Sequence, residues 1–259
     1  MNKLVLYCKS YDKDVHRAKI LLDSITKFNT DDIPFYISVP EKDIELFKNV
    51  LGTSGYKLLS DESIDSDNEG WKGQQIVKSQ FWKLGLCENY ICIDSDCFFI
   101  RSFHVKDFMF DNTTPYTVCH EYKSFFEFLD KHPLGFDPYQ SFLQERLHIM
   151  GLFGRDGVVY DFGPGPTIWS GKVWKSLEDN YIIPNGLKFS DLIQANGSEF
   201  TWYGEWLLRT SEIKLIPRGP IFKNYHYPNQ YHYDKQYGYD ETQIAKLYLG
   251  IGMQSIYEF

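Results

Sequence analysis

No apolar run in this chain of 259 residues approaches the roughly 20 consecutive residues that a membrane-spanning helix needs. The opening stretch, Met1-Asn-Lys-Leu-Val-Leu-Tyr7-Cys8-Lys9, turns polar too soon for a secretory signal. A soluble, cytoplasmic protein with no transmembrane segment is the expectation. Basic residues are also scarce, 27 Lys and Arg against 35 Asp and Glu, for a net charge of −8. No segment clusters them, so the positive surface that neutralises nucleic-acid phosphates is missing and no nucleic-acid partner is expected. No Gly-x-Gly-x-x-Gly follows the first apolar run, which disfavours a dinucleotide site. Cys8, Cys87, Cys92, Cys97 and Cys119 form no Cys-x-x-Cys pair and are odd in number, as free thiols in a reducing compartment would be. His104, His120, His132 and His148 show no metal-ligand spacing and read as surface or core histidines.

What the chain does have is aromatic residues, 17% of the total, with 19 Tyr and 20 Phe. Their flat faces and polar handles suit stacking on bases and sugar rings, although a compositional bias accounts for them equally well. With 43% hydrophobic and 24% charged residues, a packed core is expected. The first hundred residues alternate. Strands are expected at Lys3 to Cys8, Pro34 to Val39 and Tyr56 to Leu59, and helices at Asp14 to Lys27, Glu41 to Leu51 and Gln74 to Leu86. An acidic, polar loop, Ser60 to Gly70, separates the third strand from the third helix. The pattern is that of an α/β protein with a mostly parallel, Rossmann-like central sheet flanked by helices. One domain spanning 1–259 is expected, with 1–101 as one half and 102–259 as the other.

The organising stretch is Tyr90-Ile-Cys-Ile-Asp94-Ser95-Asp96-Cys97-Phe98-Phe99. It reads as a buried strand with an acidic tip. In open α/β sheets ligands bind beyond the carboxyl ends of the strands, so two carboxylates placed there can hold a divalent cation that bridges a diphosphate. A solvated Asp-Ser-Asp turn is the alternative. Before it, Gln74, Gln75 and Lys78 lie at helical spacing. Gln74 and Lys78 share a face from which Lys78 could balance phosphate charge and the amides could bind hydroxyls. Arg101 is a weaker phosphate candidate.

A four-strand α/β half ending in this acidic motif, preceded by Trp71-Lys-Gly-Gln74-Gln75-Ile-Val-Lys78, resembles a glycosyltransferase of the GT-A fold. In particular it resembles the bacterial and viral polysaccharide glycosyltransferases of the DUF6492 type. The resemblance is carried by the first hundred residues and by scattered motifs beyond them. It implies a nucleoside-diphosphate sugar donor and a glycan acceptor, with the first half of the chain binding the nucleotide sugar and the second half holding the acceptor and the catalytic groups. It further implies Mn2+ or Mg2+ held by Asp94 and Asp96, which would also meet the diphosphate and ribose together with Ser95. By the same resemblance Tyr7 and the loop Lys9-Ser10-Tyr11-Asp12 would contact base and ribose, chiefly through Tyr7, Ser10 and Asp12.

In the second half, Phe125, Phe126, Phe128 and Leu129 read as a helix face, and Asp137 to His148 as another helix on the acceptor side. Asp161-Phe-Gly163-Pro164-Gly165-Pro166-Thr-Ile-Trp169 reads as an extended loop, with Trp169 offering a ring to a sugar or the loop serving only as a turn. Glu199 opens a helix at Gly197-Ser-Glu-Phe-Thr-Trp-Tyr203-Gly-Glu205. It resembles the carboxylate that inverting enzymes of the fold use as base, with Glu205 second; the other reading is an ordinary first-turn acid. His226, after strand-like Ile213 to Ile216 and Ile221-Phe222, resembles the histidine that such enzymes give to the metal, with His232 in reserve; packing between tyrosines explains it as well. The expected activity is thus metal-dependent, nucleotide-sugar-dependent glycosyl transfer, with inversion favoured over retention. A non-catalytic carbohydrate-binding protein is the rival class. A nucleotidyltransferase would show a Gly-rich basic loop after the first strand, and Lys9-Ser-Tyr-Asp-Lys13 is not one.

Overall fold

The computed structural model describes residues 1–66, 70–132 and 137–254. Positions 67–69 of the expected polar loop lie outside the described residues. The chain opens with β1 (Asn2–Lys9), α1 (Val15–Phe28), β2 (Phe35–Val39), α2 (Ile44–Leu51), β3 (Lys57–Ser60), α3 (Gly70–Gln80) and β4 (Cys87–Cys92). It continues with β5 (Cys97–Phe99), β6 (Thr117–Val118), α4 (Lys123–Lys131), α5 (Pro138–Leu152), β7 (Thr167–Ser170), α6 (Gly171–Leu177), α7 (Phe189–Ala195) and α8 (Glu199–Thr210). Then come β8 (Pro217–Arg218), β9 (Phe222–Tyr225), α9 (Pro228–Gln236), α10 (Glu241–Ile244) and β10 (Gly250–Met253).

The main sheet has the order β3-β2-β1-β4-β7, parallel except for β7, which runs antiparallel to β4. Its inner strands are apolar over most of their length because both faces are covered. Successive residues of β1 alternate between two cores. Leu4, Leu6 and Cys8 pack toward α1 and α2, and Val5 and Tyr7 pack toward α3, α6 and α8. Each such side chain removed from water contributes about 1.5–3 kcal/mol, which fixes the register.

Three expectations change. The acidic stretch is not one strand: the chain leaves the main sheet after Cys92, turns through Ile93 to Asp96, and starts β5 in a separate three-stranded sheet of order β5-β10-β9. The third helix begins at Gly70 rather than Gln74 and ends in a tighter 3-10 turn, Phe81–Leu84. The Gly-Pro loop ends in a strand, β7, whose Trp169 is 1% exposed and packed among Tyr90, Trp174, Phe200 and Tyr203. Trp169 therefore belongs to the core and offers no ring to a ligand.

The carboxyl ends of β1, β2, β3 and β4 emerge on one side. Because β2 and β3 lie on one flank of β1 and β4 on the other, connections diverge between β1 and β4, and that switch point opens a crevice. Among the described residues no helix is long and apolar enough to cross a membrane.

Candidate active site

A cavity of about 1140 Å³ occupies this crevice. One side is the loop after β1, with Lys9, Tyr11 and Asp12, and Asp43 behind it. The floor is the Asp94-Ser95-Asp96 turn, and the far wall joins α3 to the start of α8. The remaining edge comes from the second sheet, through Asn224, Tyr225, His226 and the stretch Gly252 to Gln254. Its ends meet the acidic turn directly: the Met253 amide donates to the Asp96 carbonyl at 3.0 Å.

The charged centre is built on α3. Trp71, Gln75 and Lys78 stand at i, i+4 and i+7, one stripe of the helix, with Gln74 beside them on the cavity wall. The Lys78 ammonium, 4% exposed, is hydrogen-bonded to Asp94 Oδ1 and lies 3.8 Å from Glu199 Oε1. Burial pulls its pKa down, but Asp94 and Glu199 together outweigh that and hold Lys78 charged well above the usual lysine range. Glu199 is 2% exposed. Burial pushes its carboxyl up to about 8, against the opposing pull of Lys78. With the Gln75 amide oriented to satisfy its neighbours, its nitrogen donates to both Glu199 oxygens, at 2.9 and 2.5 Å, and its oxygen accepts from Trp71 Nε1 at 3.0 Å. The chain Trp71–Gln75–Glu199–Lys78–Asp94 thus runs across the cavity wall.

Several expected site residues meet here: Asp12, Gln74, Gln75, Lys78, Asp94, Ser95, Asp96, Glu199 and His226 all line the cavity. Others do not. Tyr7 is fully buried, its ring stacked on Phe81 at 3.8 Å and its hydroxyl 2.8 Å from Ser38 Oγ, so it is a core residue under the site. Ser10 is likewise fully buried, behind Lys9, whose ammonium reaches Asp61 at 3.0 Å and the Ser10 carbonyl at 2.9 Å. Glu205 is fully buried on another face of α8 and is gripped by Arg155 through both oxygens, at 2.6 and 2.5 Å, so it cannot serve as a base. Arg101 points away and donates to the Tyr248 carbonyl at 3.1 Å.

His226 departs from its expected role. It lies on the cavity edge, but its Nε2 is 2.7 Å from the Tyr122 hydroxyl and its ring packs on Phe125. Burial lowers its pKa to about 4, so the imidazole is neutral. Among the described residues no three His, Cys, Asp or Glu side chains gather to hold a metal ion, and His226 is turned to Tyr122. His232 is exposed on α9. His120 has a positioning role instead. It accepts from the Tyr122 amide through Nδ1 at 3.1 Å, which leaves Nε2 to donate to the Gly163 carbonyl at 2.7 Å and hold the Gly-Pro loop, whose Pro164 and Gly165 line the cavity.

Sequence reading missed the contribution of the C-terminal strand, since Gly250-Ile-Gly252 does not look like a strand. Trp71, which the sequence offers only as the first residue of the motif before the acidic stretch, also lines the cavity.

The crystal structure of mouse xyloside xylosyltransferase 1, apo form, matches this chain with a TM-score of 0.50 at 9% sequence identity, covering 99% of both chains. At that identity the likeness speaks to the fold, an α/β glycosyltransferase-like architecture with a mostly parallel central sheet. No curated protein matches the chain. Residues 3–227 match the model of DUF6492, a family of unknown function, and the chain belongs to that family.

Proposed function

We propose that this protein is a metal-dependent glycosyltransferase that moves a sugar from a nucleoside-diphosphate sugar to a hydroxyl of a glycan acceptor. The observation that carries the reading is the convergence of Asp94, Asp96, Lys78 and Glu199 in one cavity at the switch point of a parallel sheet. Magnesium or manganese needs only one or two protein carboxylates when a diphosphate and water supply the other ligands, and Asp94 and Asp96 fit that requirement without a third residue. Once bound, the cation offsets the negative charge that develops on the departing diphosphate. Lys78 adds a second positive charge and keeps Asp94 from turning away. The loop Lys9 to Asp12 faces the base and ribose.

On the acceptor side Glu199 is the group placed to take a proton. As the acceptor oxygen bonds to the anomeric carbon and the bond to the diphosphate breaks, the hydroxyl proton passes to Glu199, and the configuration inverts. A second, retaining reading is favoured by one observation: both Glu199 oxygens already accept from Gln75. In that reading Glu199 positions Lys78 and needs to accept no proton.

The test is nucleoside diphosphate release from uridine, guanosine and thymidine diphosphate sugars, with and without manganese. At least one donor should turn over only with metal. Asp96→Ala should reduce that turnover by roughly 100-fold or more, as expected when a cation worth several kcal/mol in the transition state is lost. Metal-independent turnover, or full activity in Asp96→Ala, removes the central assignment.

A further inference from the structure

Trp71 stands apart from the other large aromatic residues of the cavity. It is 62% exposed, whereas the tryptophans of the core are nearly inaccessible. An exposed indole costs free energy relative to a polar residue, and here it is also held in place. Its Nε1 donates to Gln75, which in turn holds Glu199. Its edge fills the space left by Gly197: a Cβ at that position would sit 2.4 Å from Trp71 Cη2. The next residue, Lys72, ties the start of α3 to α7 through the Gln194 carbonyl at 3.0 Å and the Gln194 side chain at 2.8 Å. A ring that is exposed, lines a ligand-sized cavity and is fixed by two contacts of its own, on a helix start that Lys72 anchors, is built to receive a flat apolar surface.

We propose that Trp71 is the stacking platform for the acceptor sugar. The proposal rests on the glycosyl-transfer reading for the word acceptor, and on geometry alone for the sugar. Trp71 reaches Glu199 through a single side chain, Gln75, so a ring stacked on the indole lies on the Glu199 side of the cavity. The surface an indole covers is a pyranose face carrying several C–H bonds, as in β-glucosides and β-galactosides, whose axial H3 and H5 lie on one side. Gly197 and Gln75 are the positioning residues: one gives the ring its place and the other sets its rotation. Covering roughly 50–60 Å² of sugar C–H surface corresponds to about tenfold in affinity.

The experiment is saturation-transfer NMR on the full chain with methyl β-D-glucopyranoside and methyl β-D-galactopyranoside. Wild type should pass saturation to H3 and H5 of at least one glycoside. Trp71→Ala should lose most of that signal, and Gly197→Ala, which displaces the ring without removing it, should weaken it. Both variants should still bind uridine and guanosine diphosphates with manganese, because Asp94, Asp96 and Lys78 are left in place. Equal saturation in Trp71→Ala, or none in wild type, overturns the proposal. It is also overturned if Trp71→Ala abolishes nucleoside diphosphate binding, because the ring would then serve the donor base. Sugar saturation that depends on Trp71 in a protein that turns over no nucleotide sugar would keep the platform and end the transfer reading, so the two fail separately. Where turnover is found, Trp71→Ala should raise the acceptor KM about tenfold with little change in the donor KM.

Discussion

Glu199 and Glu205 lie six positions apart on one helix, a rotation that puts them on different faces, and this alone separates their roles. Glu205 meets the guanidinium of Arg155 and is locked; Glu199 meets the cavity. Burial pushes the Glu199 carboxyl up to about 8, which makes a testable signature. A base works deprotonated, so kcat/KM should rise with pH and level off above about 8. Glu199→Gln should remove that limb and lower kcat by roughly 100-fold or more, with an inverted product from wild type. If Glu199→Gln keeps both the limb and the rate, or NMR finds the anomeric configuration retained, Glu199 is a positioning residue. The stability sign is the opposite. A carboxyl whose pKa is higher folded than unfolded binds its proton more tightly in the folded state, so its contribution is greatest below pH ~4.3 and declines as pH rises toward 8.

The elements that carry these residues were unequally legible. Strands β1, β2 and β3 and helices α1 and α2 fall close to where periodicity places them, because uninterrupted apolar runs and 3.6-residue spacing survive in the sequence. Strands β7 and β10 were hidden. The first is four residues at the end of a Gly-Pro loop, and the second carries two glycines, which local preference counts against a strand. Tyr7, Ser10 and Glu205, which enter the expected site through the resemblance, and Trp169, expected on a loop, are all buried in the structure. Where both faces of an element are covered, residue pattern does not say which face looks onto the cleft. Gly204 shows the same tertiary override inside α8. Mid-helix glycine is about 1 kcal/mol worse than alanine by propensity, so Gly204→Ala looks stabilising. Yet a Cβ there would lie 2.1 Å from the ring of Phe162, in the loop leading to Pro164 and Gly165. Overpacking of that kind costs about 1–3 kcal/mol and should outweigh the gain. Gly204→Ala is therefore expected to lower the urea midpoint of unfolding; a raised midpoint would show that Phe162 yields freely.

Across the whole molecule, the acidic turn is where two sheets are joined. Cys92 ends β4 of the five-stranded sheet, Cys97 begins β5 of the three-stranded one, and the Asp96 carbonyl accepts from Met253, at the far end of the chain. The acidic residues were visible in the sequence, but this junction was not, because it depends on pairing between strands some 150 residues apart in the chain, which local pattern does not encode. A ligand seated on Asp94 and Asp96 touches both sheets and should stabilise the fold as one unit rather than a single lobe. At a ligand concentration 100 times Kd, binding to the folded state adds about 2.7 kcal/mol, or roughly 5–10 °C in Tm for a chain of this size. At least one of uridine, guanosine or thymidine diphosphate should give such a shift with manganese present and little without it. Asp96→Ala should lose the manganese-dependent part, and unfolding should remain a single transition. If every nucleoside diphosphate leaves Tm unchanged with and without manganese, the cavity is not a nucleotide site. If the shift is equal without the metal, the nucleotide is held by Lys78 and the loop after β1, and the two carboxylates have another task.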